Sequence, residues 1–300
     1  KYLFFLNTTL LHYALKEGKS DFVNRLLEQP EIEIPSKAFK NARIKRITLP
    51  QSLTTIKDET FCHCTSLTQV IIPLSCTIIS RNAFEGCSAL EDITIPSSVT
   101  KIESYVFEEC TSLKKITLPS SITELGYGVF SNCSSLVQVI IHSLINIINP
   151  FTFNECTSLT EISIPPSVTL IKKESFLKCT SLIEITIPSS VTEIEENAFK
   201  NCSSLKKVII LAFLKTINKG TFEKCTSLID VIIPPSVILI KENAFKECKS
   251  LKQINIPLSV EEIESSVFEE CTSLTDIEIP SSLTKLSDNF FRGCTSLIQI

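Results

Sequence analysis

The chain has 300 residues, of which 43% are hydrophobic and 21% charged, with a formal net charge of −4. That much apolar material builds an ample core, and the acidic balance excludes a nucleic-acid binder, which needs a concentrated basic surface. No run approaches the roughly 18 to 20 consecutive apolar residues that cross a bilayer, so no membrane insertion is expected within this segment.

Residues 1–34 read as helical. Leu10, Leu11 and Ala14 share one face, Gly18 breaks the run, and Phe22, Val23, Leu26 and Leu27 form a second apolar face before Pro30. The spacing predicts a helical hairpin, with Tyr2–Leu6 read as part of a packed helix because five apolar residues are too few for a signal segment. Thr9-Leu10-Leu11-His12-Tyr13-Ala14 resembles the T-P-L-H-x-A ankyrin signature, with leucine where proline is usual. The resemblance implies either the end of an ankyrin array or a cap on the repeats that begin at Pro35.

From Pro35 to Ile300 one sentence is repeated at a constant interval. Phenylalanine recurs from Phe61 to Phe291, cysteine from Cys64 to Cys294 and leucine from Leu67 to Leu297, each in steps of 23. The first unit is imperfect, with Asn41 and Ala42 where later units carry Cys-Thr or Cys-Ser. Units too small to bury their own apolar face bury it by stacking, so the pattern predicts a solenoid of about eleven repeats over residues 35–300. In the unit that opens at Leu182, Leu182, Ile185 and Ile187 form an L-x-x-I-x-I strand that Pro188 ends, since proline cannot donate to a ladder. Val191 and Ile194 give a second extended piece, and Ala198, Phe199 and Cys202 fill a corner expected to be helical or 3₁₀. Parallel stacking at about 4.8 Å per rung predicts a continuous sheet roughly 50 Å long, with phenylalanine over phenylalanine. The chain starts without methionine and stops at Ile300 inside a repeat, which predicts further repeats or a cap beyond it.

The phrase I-P-x-S-V-T-x-I-x-x-x-A-F-x-x-C-x-S-L, as in Pro96–Thr100 and Pro188–Thr192 with their flanks, resembles the BspA-like leucine-rich repeat of the Treponema and Bacteroides surface-antigen type, over about 265 of the 300 residues. The resemblance implies a right-handed leucine-rich-repeat horseshoe with a parallel sheet and short turns. It also implies a non-enzymatic role in binding host or matrix proteins at a cell surface. The ankyrin-like head points instead to a cytoplasmic adaptor, and a third reading makes the repeats the targeting arm of an enzyme. Where the family usually has glycine after the second isoleucine, this chain has Glu103, Lys172, Glu195 or Lys241, so that position is expected to avoid the left-handed conformation.

Eleven of the thirteen cysteines fall in one column. Stacked side chains point the same way, which is poor disulfide geometry, so each is read as a small buried plug. Cys62 and Cys76 stand apart as the candidate reactive thiols. Cys62-His63-Cys64 has the composition of a metal site, but consecutive side chains splay apart and the C-x₂₋₄-C spacing is absent. No metal, cofactor or catalytic residue is therefore expected: no nucleophile–base pair emerges, and six glycines leave little scope for phosphate loops. Asn7-Thr8-Thr9, Asn132-Cys133-Ser134 and Asn201-Cys202-Ser203 are formal glycosylation sequons, the last two flanking the cysteine column.

What varies from unit to unit is the outward row of the strand, expected on the concave side. Lys115, Glu161, Glu184, Lys207, Ile209, Asp230, Ile232 and Asp276 belong to it and are the candidate residues for a protein ligand. With Asp92 and Glu278 the row holds six carboxylates against two lysines, and it is either a solvated face or a binding surface. Two units lack the proline. They read His142-Ser143-Leu144 and Leu211-Ala212-Phe213, and their extra apolar residues either form an exposed patch with Ile140, Ile209 and Ile232 or fill a void at a local kink.

Overall fold

A computed structural model describes Val23, Arg25, residues 34–283 and residues 287–298. The hairpin expected over residues 1–34 lies outside the described residues apart from Val23, which is helical and buried, Arg25, which is helical and exposed, and the buried Ile34. The chain divides into two compact units, Lys1–Leu144 and Ile145–Ile300.

In the first unit the strands are β1 (Arg46–Thr48), β2 (Thr55–Ile56), β3 (Gln69–Ile71), β4 (Ile78–Ile79), β5 (Lys101–Ile102), β6 (Lys115–Leu118), β7 (Glu124–Leu125) and β8 (Gln138–Ile141). In the second they are β9 (Ile147–Ile148), β10 (Glu161–Ile162), β11 (Leu170–Ile171), β12 (Glu184–Ile187), β13 (Glu193–Ile194), β14 (Lys207–Ile210), β15 (Thr216–Ile217), β16 (Asp230–Val231), β17 (Leu239–Ile240), β18 (Gln253–Asn255), β19 (Glu262–Ile263) and β20 (Asp276–Glu278). Pairing is parallel, with each residue opposite its counterpart in the next repeat, as in Ile185↔Val208 and Ile102↔Leu125. Each unit is therefore a parallel β-solenoid in which one repeat makes one turn. Counted by the second strand of each repeat, four turns in the first unit and six in the second give about ten. The eleventh such position, 285–286, falls outside the described residues.

The expected continuous sheet is corrected to short ladders. In the first unit β1 pairs with β3 and β6 with β8, while Asp92–Ile95 is in no strand. In the second, β12, β14 and β16 form one ladder and β18 and β20 another. A proline at the strand exit removes a donor and shortens the pairing. Both four-residue registers described, β6–β8 and β12–β14, involve a unit without that proline, where His142 N–H donates to Leu118 O at 3.0 Å and Leu211 N–H to Ile187 O at 2.9 Å.

The corner is a chain of tight turns and not the expected 3₁₀ helix. Asn197 and Asn201 take φ of +55° and +61°, which breaks a helical path. Backbone donors then point to the next turn: Asn197, Phe199 and Asn201 N–H donate to Lys219, Thr221 and Glu223 O at 2.8–3.0 Å. Glu103, Lys172, Glu195 and Lys241 do not take positive φ; the left-handed residue lies two places further on, at Tyr105, Glu174, Asn197 and Asn243.

The three columns are interior. Phe39 to Phe130 in the first unit and Phe153 to Phe268 in the second are fully buried, their rings stacked at centroid separations such as 5.0 Å for Phe176–Phe199. The last member departs from expectation. Phe290, bulkier than the Ala244 and Val267 that hold its place in earlier turns, is buried and meets Phe268 edge-on at 80°, and Phe291 is only half-buried. The column cysteines are more than plugs: Cys202 Sγ donates to Phe176 O at 3.2 Å and Cys225 Sγ to Phe199 O at 3.2 Å, satisfying a carbonyl sealed in the core. A serine ladder does the same at the strand exit, with Ser190 Oγ donating to Val168 O at 2.7 Å.

Candidate binding face

Strand alternation fixes where the candidate residues go. In β12 the buried Ile185 and Ile187 force Glu184 and Thr186 outward, and in β14 the buried Val208 leaves Lys207 exposed and Ile209 half-exposed. Lys115, Glu161, Asp230 and Asp276 are exposed at the same place in β6, β10, β16 and β20, and Ile232 is 72% exposed just past β16.

Parallel register brings three of these together in the second unit. Glu184 lies opposite Lys207, and Lys207 opposite Asp230, an alternating row of charge with neighbours about 4.8 Å apart. The row is thus mixed where the composition alone read as acidic. Asp276 lies opposite Gln253, and in the first unit Lys115 lies opposite Gln138. Among the described residues, none of Lys115, Glu161, Glu184, Lys207, Asp230 and Asp276 forms an ion pair.

The corner of the second unit is the opposite case. Lys172–Glu195 at 2.6 Å, Lys200–Glu223 at 2.9 Å, Lys219–Glu242 at 2.6 Å and Lys246–Glu269 at 2.9 Å join successive turns. Hydrogen bonding to Glu242 and to Glu269 raises the pKa of Lys219 and of Lys246, while Lys246 lowers that of Glu269. The sequence pattern did not bring out this lattice, although a lysine followed by a glutamate one repeat later was its available signal.

The two units without the exit proline resolve as exposed patches. Val191 N–H closes a turn on Pro188 O at 3.1 Å in a regular unit. Without proline that turn is replaced by a bend at Ser143 and at Ala212, which are buried, while Leu144 and Phe213 face outward, each 75% exposed. Void filling is therefore overturned. In the second unit Phe213, Leu211 at 60% and Ile232 at 72% put apolar surface beside the charged row.

Cys62 and Cys76 are both buried, and burial pushes the Cys62 thiol up to about 11 and the Cys76 thiol up as well, so neither is an activated thiol in the folded chain. No helix among the described residues is long and apolar enough to cross a membrane.

The chain matches the BspA type leucine rich repeat region over residues 32–159, 146–239 and 215–300. A leucine-rich repeat protein from Bacteroides ovatus, known as a crystal structure, is 31% identical, with 88% of this chain and 80% of that one covered and a TM-score of 0.60. One from Eubacterium ventriosum is 21% identical over 89% of this chain and 87% of that one, with a TM-score of 0.55. A leucine rich cell surface protein from Faecalibacterium prausnitzii is 28% identical over 81% of each chain, with a TM-score of 0.45. No curated protein matches. Solenoid, repeat phrase and family match agree: this chain belongs to the BspA type leucine-rich repeat family.

Proposed function

We propose that the chain is a non-enzymatic scaffold that binds another protein through the outward row of its strands. The carrying observation is the contrast between the two outer surfaces of the second unit. Corner charges are consumed by pairing with the next turn, whereas Glu184, Lys207 and Asp230 stand exposed and unpaired beside Leu211, Phe213 and Ile232. Unpaired charge around exposed apolar side chains is the composition of a protein interface, with an anchoring centre and a polar rim. The BspA-type repeat makes adhesion to host or matrix proteins at a cell surface the setting for this binding. The ankyrin-like phrase Thr9–Ala14 favours a second setting, a cytoplasmic adaptor.

The test is matched affinity capture with the full chain and with a variant carrying Glu161→Lys, Glu184→Lys and Asp230→Lys. These side chains are exposed and leave the core untouched, so the variant stays folded, with a melting temperature lowered modestly by the like charges set on either side of Lys207. A ligand protein held by the wild type and lost by the variant supports the proposal; equal retention of that ligand removes the strand face from the account.

A further inference from the structure

In the first unit, two departures from the repeat, Cys62 and His63, meet a glutamate at one point. Cys62 and His63 lie in one corner turn, and Glu85 stands one repeat later, in the turn stacked upon it. Cys62 Sγ lies 3.7 Å from Glu85 Oε2, and His63 Nε2 lies 3.8 Å from Glu85 Oε1. One ligand atom from each of the three falls within 4.8 Å of the others. A tetrahedral zinc ion, with bonds of about 2.0 to 2.3 Å, sets its ligand atoms about 3.3 to 3.6 Å apart. The two contacts to the carboxylate, made through its two different oxygens, are within a few tenths of an ångström of that spacing, and closing all three ligands on one ion takes side-chain shifts of up to about 1 Å.

The surroundings hold the imidazole and the carboxylate in place. His63 takes φ +56°, and the residue stacked on it is Gly86, where the next turns have Glu109 and Asn132. A Cβ on Gly86 would fall 2.1 Å from His63 Nδ1. The glycine thus leaves the space that the ring occupies while Nε2 faces Glu85. Asn82 Nδ2 donates to Glu85 Oε2, the kind of outer contact that orients a ligating carboxylate. Cys64 does not take part, because its sulfur turns into the core and donates to Phe39 O. A histidine–carboxylate pair alone does not explain the thiol at the same carboxylate.

We propose that Cys62, His63 and Glu85 form a binding site for a divalent transition metal ion of the zinc class. Sulfur, nitrogen and oxygen ligands together suit zinc and its neighbours better than calcium or magnesium, which take oxygen alone. On binding, the sulfur–hydrogen bond of Cys62 breaks, a sulfur–metal bond forms, and the proton passes to solvent. The His63 side chain is 43% exposed, which gives the ion an entry path and leaves a fourth position to water. The ion would tie two successive turns together across their corner.

Cobalt(II) titration of the chelator-treated full chain tests the site, with cobalt and then zinc as the only added ligands. The expected result is one cobalt per folded chain, a thiolate-to-cobalt charge-transfer band with the strong d–d bands of a tetrahedral ion, and their loss when zinc is added. His63→Asn, which places at the exposed position a residue that other turns use there, and Glu85→Gln are each expected to weaken binding more than tenfold, and Gly86→Asn at least tenfold by displacing the ring. Cys62→Ser removes the charge-transfer band, and Cys76→Ser leaves it unchanged. Absence of the band in the folded chain, or a band of unchanged affinity in both His63→Asn and Glu85→Gln, overturns the proposal.

Discussion

Asn201 shows how much of this fold is decided by single residues. It holds φ +61° at the corner, and Lys178 and Lys224 hold +58° and +62° at the same place in the adjacent turns. A left-handed conformation costs an L-residue about 1 to 2 kcal/mol and a β-branched one more. Asn201→Val is therefore expected to lower stability by about 2 kcal/mol and Asn201→Gly to leave it nearly unchanged, as read from urea midpoints. The column thiols give a second residue-scale prediction. Burial pushes Cys64 and Cys202 up to about 12, so their thiols stay protonated and unreactive in the folded chain. A thiol reagent at pH 8 should label few of the thirteen cysteines before unfolding and all of them after. Because these folded-state values lie above the ordinary thiol value, the linked stability is full below about pH 9 and falls as pH rises toward 12. The phenylalanine, cysteine and leucine columns were legible in the sequence because each place does one job in every turn. The left-handed places were not, because Asn201, Lys178, Glu247 and Tyr105 share a backbone angle and no side-chain chemistry.

At the scale of the element, the strand exit separates regular turns from irregular ones. Proline with a following serine closes a turn and caps a carbonyl of the preceding repeat, as Pro188 and Ser190 do. Where His142 or Leu211 replaces the proline, the ladder gains a backbone donor and loses the serine cap, and a large apolar side chain is pushed outward. Both breaks could be read from the sequence, but the direction of Leu144 and Phe213 could not. It depends on whether the chain closes the proline turn or bends one residue past the added hydrogen bond, at Ser143 and Ala212. The inward residue carries its own consequence. Ser143 is 1% exposed and its hydroxyl is without a hydrogen-bond partner, while Ala212 fills the same place without a polar group. Leaving such a group unsatisfied costs about 1 to 3 kcal/mol, so Ser143→Ala is expected to raise the melting temperature of the chain, and a lowered one would show that the hydroxyl is bonded.

At the scale of the molecule, each unit divides its labour between surfaces. The interior columns and the paired corner charges join one turn to the next, and the strand row carries side chains that the fold does not need. The sequence made that row visible as the variable place in an otherwise constant sentence. It did not reveal that Glu184, Lys207 and Asp230 alternate across adjacent strands, because charges a full repeat apart along the chain become neighbours only once the turns stack. Lysine footprinting of the full chain, free and bound to a captured ligand protein, separates the two surfaces directly. Lys207 reports the strand row, and Lys219 and Lys224 report the corner. The account predicts that ligand binding shields Lys207 from acylation while Lys219 and Lys224 react as before; shielding of Lys219 and Lys224 with Lys207 still reactive would contradict it.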